Sequence, residues 1–297
     1  MSGGPQKRAV LIAGPTASGK SALALSRARV VGGVVINADA MQVYDVLQVV
    51  TARPASAEMG EVPHQLYGIV SPAERFSTGG WLAAAGAAVA QAGERPLIFV
   101  GGTGLYFDAL INGFADVPAV PASVVAAVEQ ELAGLDAAGR GRLLAERDPV
   151  MAARLKAPDP QRVTRALAVL AATGQSLASF QGATQRGLLD DFEVERIVLN
   201  PDRAVLNQRI AARFAKMFEN GAVEEVEALL KLDIDPSLPA MKAIGVREIA
   251  GWLAGTVSRE AAIELAVIAT RQYAKRQRTW FRNRMGDWHW VDPLARE

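Results

Sequence analysis

The sequence predicts an α/β fold, a parallel sheet flanked by helices, with an all-helical insertion domain. Three observations lead there. Short apolar runs at residues 9–13 (AVLIA), 34–37 (VVIN) and 97–100 (LIFV) alternate with helix-patterned segments, the order that builds a parallel sheet. A glycine-rich loop joins the first run to the first helix. Between PAVP at 118–121 and residue 192 the pattern turns helical, with almost no strand signal. The expected organisation is residues 1–117 as the first part of the core, 118–191 as the helical insertion, and 192–297 as the second part of the core with a basic C-terminal helix.

Each element has a local reason. Residues 9–13 read as a buried strand, and residues 21–30 as a helix stopped by Gly32-Gly33. Residues 34–37 resume as a strand. The Ala-rich stretch 80–91 reads as a helix ending before Pro96, and LIFV as a buried strand opening onto GGTGLY. In the insertion, residues 123–132 and 140–146 read as helices. Asp148-Pro149 and Asp159-Pro160 open two more: the aspartate caps, and proline takes the first helical position, where its missing N–H costs nothing. Residues 192–199 return to β-branched residues, and Asn200-Pro201-Asp202 starts a helix through about residue 218. Along that helix Leu206, Ile210, Phe214, Met217 and Phe218 form a core stripe, with Arg209, Arg213 and Lys216 beside it.

GPTASGKS, residues 14–21, fits the phosphate-loop pattern in full and stands between a strand and a helix. Its glycines let backbone N–H groups face an anion, the helix N-terminus adds partial positive charge, Lys20 adds a full one, and Ser21 can ligate Mg²⁺. The core is therefore expected to be P-loop NTPase-like. The motif identifies the anion and not its owner. A nucleotide hydrolase would also show an apolar strand ending in a metal-binding aspartate, but LIFV runs into Gly101-Gly102. The nearest carboxylate is Asp39, a metal ligand, a base or a plain loop residue.

Composition narrows the field further. The 32 lysines and arginines nearly balance 31 acids, so any nucleic-acid site must be local. Cysteine is absent and His64 and His289 are the two histidines, which excludes disulfides, thiolate metal sites and a cysteine nucleophile. The two basic residues at the start precede too few apolar ones for a signal sequence, and no window approaches the roughly 18 apolar residues of a membrane span. A cytoplasmic protein is expected.

Asp39 lies in INADAMQVYD, residues 36–45. Further along come TARP (51–54), PHQL (63–66), GGTGLY (101–106), DPQRVTRAL (159–167), RFAKM (213–217), KAIGVRE (242–248) and YAKRQRTWFR (273–282). In this order, together with GPTASGKS, they resemble the tRNA dimethylallyltransferase family, also called tRNA isopentenyltransferases, over nearly the whole chain. The resemblance implies transfer of a dimethylallyl group from dimethylallyl diphosphate to N6 of adenosine 37, beside the anticodon of tRNA, with release of diphosphate and Mg²⁺ as cofactor. The phosphate loop, Gly14, Pro15, Thr16, Ala17, Ser18, Gly19, Lys20 and Ser21, would then hold the prenyl diphosphate, with Ser21 toward the metal and Arg213 as a further cation.

The exocyclic amine of adenine is a poor nucleophile, because its lone pair is delocalised, and a base should take its proton as the new bond forms. Asp39 suits that role. Lys20 would stabilise the departing diphosphate, and Thr103 matches the family threonine that hydrogen-bonds it at the reacting end, though a hydroxyl capping a glycine turn reads the same way. For Arg209, Arg213 and Lys216 the pattern alone favours a solvated basic face, and the RFAKM match selects Arg213. The resemblance assigns RNA contact to Asp39, Ala40, Met41, Gln42 and Thr103, to Gln161, Arg162, Val163, Thr164 and Arg165, and to Lys242 and Arg247. Gln42 could read the adenine edge or simply fill its loop. Residues 271–284 hold six cations and no acid, and Arg271, Lys275, Arg278 and Arg282 recur at helical spacing. That face meets RNA phosphates or is merely solvated, with Tyr273, Trp280 and Phe281 packing or stacking. His64 is given no role.

Four positions depart from the family pattern: Ala40 stands for serine, Val50 and Arg53 for the glycine and lysine of GTAKP, and Gly68 for an aspartate. The expected partners are tRNA and the prenyl diphosphate, with no membrane and a monomeric state. Alternatives left open are a prenyltransferase of free adenine nucleotides, a small-molecule kinase with ATP in the loop, and an RNA-binding ATPase.

Overall fold

The computed structural model describes residues 7–115, 117–155, 159–181 and 186–293. It divides into two compact units, Met1–Ile111 with Gly187–Glu297, and Asn112–Arg186. In chain order the elements are β1 (Arg8–Ala13), α1 (Lys20–Val31), β2 (Val34–Asn37), α2 (Ser56–Met59), β3 (His64–Gln65), α3 (Thr78–Ala92), β4 (Leu97–Gly101) and α4 (Gly104–Asn112). The second unit adds α5 (Ala122–Leu132), α6 (Ala137–Arg147), α7 (Pro149–Arg154), α8 (Pro160–Thr173) and α9 (Leu177–Phe180). The chain then continues through β5 (Glu193–Leu199), α10 (Arg203–Glu219), α11 (Ala222–Leu230), α12 (Val246–Leu253), α13 (Arg259–Arg284) and β6 (His289–Val291).

The six strands form one sheet in the order β3-β2-β4-β1-β5-β6, and every pairing is parallel. Such a sheet is covered on both faces, and its central strands β2 and β4 are buried along their whole length, while β5 is charged at its start and buried only over its last three residues. The pleat sorts them: Leu11, Val34, Ile36, Leu97, Phe99 and Val198 enter the larger core, while Ile12, Val35, Ile98, Val100, Ile197 and Leu199 pack with Ala24 and Ala28 of α1 on the other face. Gly32, at φ +65°, ends α1 in the left-handed conformation that glycine adopts without strain.

The second unit is all helical and has its own core around Val128, Leu144, Met151, Val163 and Leu167. Both Asp-Pro starts are capped as the sequence implies: Asp148 accepts from the Met151 N–H and Asp159 from the Arg162 N–H. Its compact boundary, at residues 112–186, falls a few residues before the expected 118–191 at each end. Residues 187–191 return early because Leu189 is buried in the main core and its N–H bonds the Leu110 carbonyl at 3.3 Å. Among the described residues no helix is long and apolar enough to cross a membrane.

Candidate active site

Parallel strands end on one edge of the sheet, and the loops that follow them are where such folds bind ligands. Because β4 lies between β2 and β1, the phosphate loop after β1, the Asp39 loop after β2 and the Gly102-Thr103 loop after β4 are neighbours. From β5 the chain enters α10, whose cap is Asp202.

In the phosphate loop Gly19 has φ +95°, and Ala17 takes φ +65°, a left-handed conformation at a non-glycine residue of the kind that curls backbone N–H groups into an anion nest. Its neighbours are pinned from within: the Ser18 N–H bonds the Pro15 carbonyl at 3.2 Å, and the Thr16 hydroxyl accepts from Arg213. Ser18 itself is fully buried. Ala17, Gly19, Lys20 and Ser21 line a cleft of about 480 Å³ together with Arg209, Arg213 and Lys216. The three cations of α10 thus line the cleft beside the phosphate loop, Arg209 and Arg213 half-buried and Lys216 exposed at its rim.

Asp39 is held by its own loop. Asn37, with no exposed surface, donates from Nδ2 to the carbonyls of Asp39 and Leu66, each at 3.0 Å, and accepts the Asp39 N–H at 2.9 Å. Asp39 Oδ1 accepts the Met41 N–H at 3.0 Å. Thr103 closes the arrangement: its N–H reaches the Ala38 carbonyl at 3.2 Å and its Oγ1 accepts the Ala40 N–H at 2.9 Å, so its hydroxyl proton can be donated elsewhere. Since this bond uses only the backbone of residue 40, alanine there leaves it intact.

A second cavity of about 300 Å³ adjoins the cleft, lined by Met41, Val50, Phe214, Met217, Ala243, Ile244 and Tyr273, with Lys242 and Arg276 among its polar residues. Thr16, Asp39, Thr51 and Arg213 line both spaces. One side of the wall belongs to residues 48–52. Glu225 of α11 accepts the N–H groups of Gln48, of Val49 at 2.8 Å and of Val50 at 2.7 Å. The Gln42 amide donates to the Thr51 and Ala52 carbonyls, both at 3.0 Å.

Burial governs the charges. Desolvation pulls Lys20 down to about 8, against a raising effect from Asp39, and Arg213 lowers it further. Arg213 is likewise lowered by burial and supported by Asp39. Tyr67, Tyr106 and Tyr273 are all raised by burial first and by the Asp39 charge second, so they remain neutral hydroxyls.

The other sequence-expected residues divide by place. Gln161, Arg162, Thr164 and Arg165 stand on α8 in the helical unit, with both arginines exposed. Val163 differs: its side chain is fully buried in that unit's core, so helical periodicity removes it from any RNA-facing set. Gln42 is 8% exposed and both its amide protons are spent on carbonyls, which fits a loop brace and not a reader of an adenine edge. Arg271, Lys275, Arg278 and Arg282 line one groove with Arg203 of α10, away from the cleft. Arg278 is lowered by partial burial and by the like charges of Arg282 and Arg203. Arg247 lines a separate groove between α12 and α13. His64 is structural, with Nδ1 against the Val62 carbonyl at 2.8 Å and its ring beside Tyr67. Sequence reasoning missed Asn37, Glu225 and Gln277, and it placed Tyr273 among packing or stacking aromatics where the structure puts it in the wall of the second cavity.

Two of the four family departures meet in space. Arg53 donates to the Tyr44 carbonyl at 3.1 Å and the Asp45 carbonyl at 2.9 Å, and a Cβ at Gly68 would stand 1.8 Å from its guanidinium. The wide arginine head and the missing side chain are therefore one coupled change. Gly68→Asp alone should cost about 1–3 kcal/mol, part of it from a side chain at φ +59° and part from forcing the guanidinium off its carbonyls, and adding Arg53→Lys should restore the second part. Thermal unfolding of the four proteins of this cycle measures the coupling, and additive effects would refute it.

Known proteins resemble this chain in sequence and in fold. The IPP transferase family model matches residues 42–284, and the isopentenyl transferase model matches residues 7–67. A tRNA dimethylallyltransferase of Allorhizobium ampelinum is 53% identical over 97% of this chain and 95% of its own, and one of a Methylobacterium species is 51% identical over 97% and 95%. A full-length tRNA isopentenylpyrophosphate transferase of Bacillus halodurans superposes with a TM-score of 0.68, at 33% identity over 96% of this chain and 90% of that one. A eukaryotic dimethylallyltransferase, solved acting on tRNA, gives a TM-score of 0.81 at 28% identity over 96% of this chain and 74% of that one. Matched along most of its length by the family model and by relatives at half identity, the chain belongs to the tRNA dimethylallyltransferase family.

Proposed function

We propose that the protein transfers the dimethylallyl group of dimethylallyl diphosphate to N6 of adenosine 37 of tRNA, releasing diphosphate. One observation carries this reading: Asp39 and Arg213 form a shared wall between a cationic phosphate-loop cleft and an apolar cavity. The diphosphate lies against the loop and Arg213, and the five-carbon chain points past Asp39 toward Val50, Phe214 and Met217. The adenine, drawn from its stack, brings its amine to the first carbon from the opposite side. Asp39 accepts the amine proton as the N–C bond forms and the C–O bond to diphosphate breaks. Lys20, Arg213 and the Thr103 hydroxyl stabilise the charge that collects on the leaving group.

Mg²⁺ fits as an ion carried by the donor. Among the described residues no group of three or more His, Asp or Glu side chains could cage a metal, and the cleft offers the Ser21 hydroxyl beside the diphosphate position. Magnesium commonly uses one or two protein oxygens plus substrate phosphates. When bound it would offset charge on the departing diphosphate.

The test is incubation with Mg²⁺, labelled dimethylallyl diphosphate and unmodified tRNA, followed by digestion and location of the label. The expected result is label on N6 of one adenosine beside the anticodon. Absence of label from tRNA, with label on free adenine nucleotides instead, would replace the acceptor; absence from both would refute the reading.

A further inference from the structure

Helix α13 carries a polar side chain where it faces inward. Gln277 is 5% exposed, and both ends of its amide are engaged: Oε1 accepts the Thr16 N–H at 2.9 Å, and Nε2 donates to the Gly102 carbonyl at 2.9 Å. One turn earlier on the same helix, Tyr273 stands beside the same side chain. Both loop partners are backbone groups, so these bonds fix the paths of the loops themselves. The loops after β2 and β4 are tied to each other through Ala38, Ala40 and Thr103, and Gln277 ties the phosphate loop to them.

Gly102 shows how closely the parts meet. A Cβ there would stand 2.1 Å from the Gln277 amide nitrogen and 3.2 Å from Asp39 Oδ2, so the amide and the carboxylate converge over one glycine. A buried amide needs partners that a side chain of similar length, such as methionine, would not. What the amide supplies is the two bonds.

We propose that Gln277 is a positioning residue for the transfer, holding the phosphate loop and the Gly102-Thr103 loop at a fixed separation so that the leaving diphosphate and the Asp39 carboxylate stay in register. This inference rests on the proposed function. It acts through geometry, and displacement of reacting groups by about 1 Å can cost about 100-fold in rate.

Two variants test it. Gln277→Met removes both bonds. Gln277→Glu keeps an acceptor for the Thr16 N–H, loses the donor to Gly102, and places a second carboxylate beside Asp39. Gln277→Met is expected to lower the single-turnover rate at saturating donor about 100-fold, with a much smaller change in KM. Gln277→Glu keeps the Thr16 bond and loses the Gly102 one, so its single-turnover rate should lie between those of wild type and Gln277→Met, again with a much smaller change in KM, a split that a merely structural residue would not show. Wild-type rates in the methionine variant, or a loss carried by KM alone, would overturn the proposal. If the methionine variant does not fold, the same two readings on the glutamate variant decide. Wild-type protein that binds inorganic pyrophosphate yet transfers nothing defeats the proposed function instead. The tie is then judged by pyrophosphate affinity, expected to weaken about 10-fold in Gln277→Met and contradicted by equal affinity.

Discussion

Asp39→Asn is expected to bind dimethylallyl diphosphate nearly as well as the wild type at neutral pH and to transfer its prenyl group at least about 100-fold more slowly. Asparagine preserves the shape and can still accept the Met41 N–H that now holds Oδ1 at 3.0 Å, so the loop should keep its path. It cannot take a proton from the amine. General-base assistance is typically about 10² to 10⁴ in rate, about 3–5 kcal/mol, and this defines the expected range. The substitution has a second effect. Asp39 supports the charge of Lys20, so its removal lowers Lys20 below its present value of about 8, and donor binding should weaken earlier on the alkaline side. Single-turnover transfer and calorimetric donor binding, both near pH 7, separate the two effects. Wild-type transfer by this variant would remove Asp39 from the mechanism.

Lys20→Met should lower kcat/KM about 1,000-fold, since preorganised charge aimed at a leaving group is commonly worth about 10² to 10³ for a single donor and the lysine also aids binding. The titration gives an independent check on the same side chain. Burial lowers its pKa to about 8 in the free protein, so it is charged below that pH and neutral above it. An anion in the cleft favours the charged form. Pyrophosphate affinity should therefore be level below about pH 8 and fall as the pH rises beyond it, and Lys20→Met should bind more weakly and lose this dependence. Stability moves the other way: an unfolded lysine holds its proton to its ordinary value of 10.5, so the cost of burying the ammonium is present below pH 8 and fades between about 8 and 10.5. An unchanged alkaline dependence in the methionine variant would assign the titration to another group.

Much of this site is legible in the sequence wherever chemistry and local geometry coincide. The phosphate loop needs glycines, a lysine and a helix start within eight residues, and the pleat requires apolar runs for a sheet covered on both faces. The stripe Leu206, Ile210, Phe214, Met217 and Phe218 is buried as its spacing demands, which sets Arg209 and Arg213 on the neighbouring face of α10. Gln277 is hidden for the opposite reason. Inside RQYAKRQRTWFRNR it looks like one more solvated polar residue, and only the packing of α13 against two distant loops reveals its bonds. Asn37 looks like the end of a strand, yet its side chain shapes the Asp39 turn. Ala17 occupies a conformation that sequence reasoning reserves for glycine, and Glu225 serves three N–H groups far from it in the chain. Short elements such as β3, β6 and α9 are set by their neighbours, with too few residues to show a period of their own.

The proposed chemistry depends on whose phosphates the loop holds. Equilibrium binding of dimethylallyl diphosphate in competition with ATP, with Mg²⁺ and tRNA present and with both pyrophosphate and inorganic phosphate followed, tests this most directly. The donor should displace ATP, and pyrophosphate should appear mole for mole with modified adenosine while ATP stays intact. Tighter retention of ATP, with its hydrolysis and no pyrophosphate from the donor, would contradict the account.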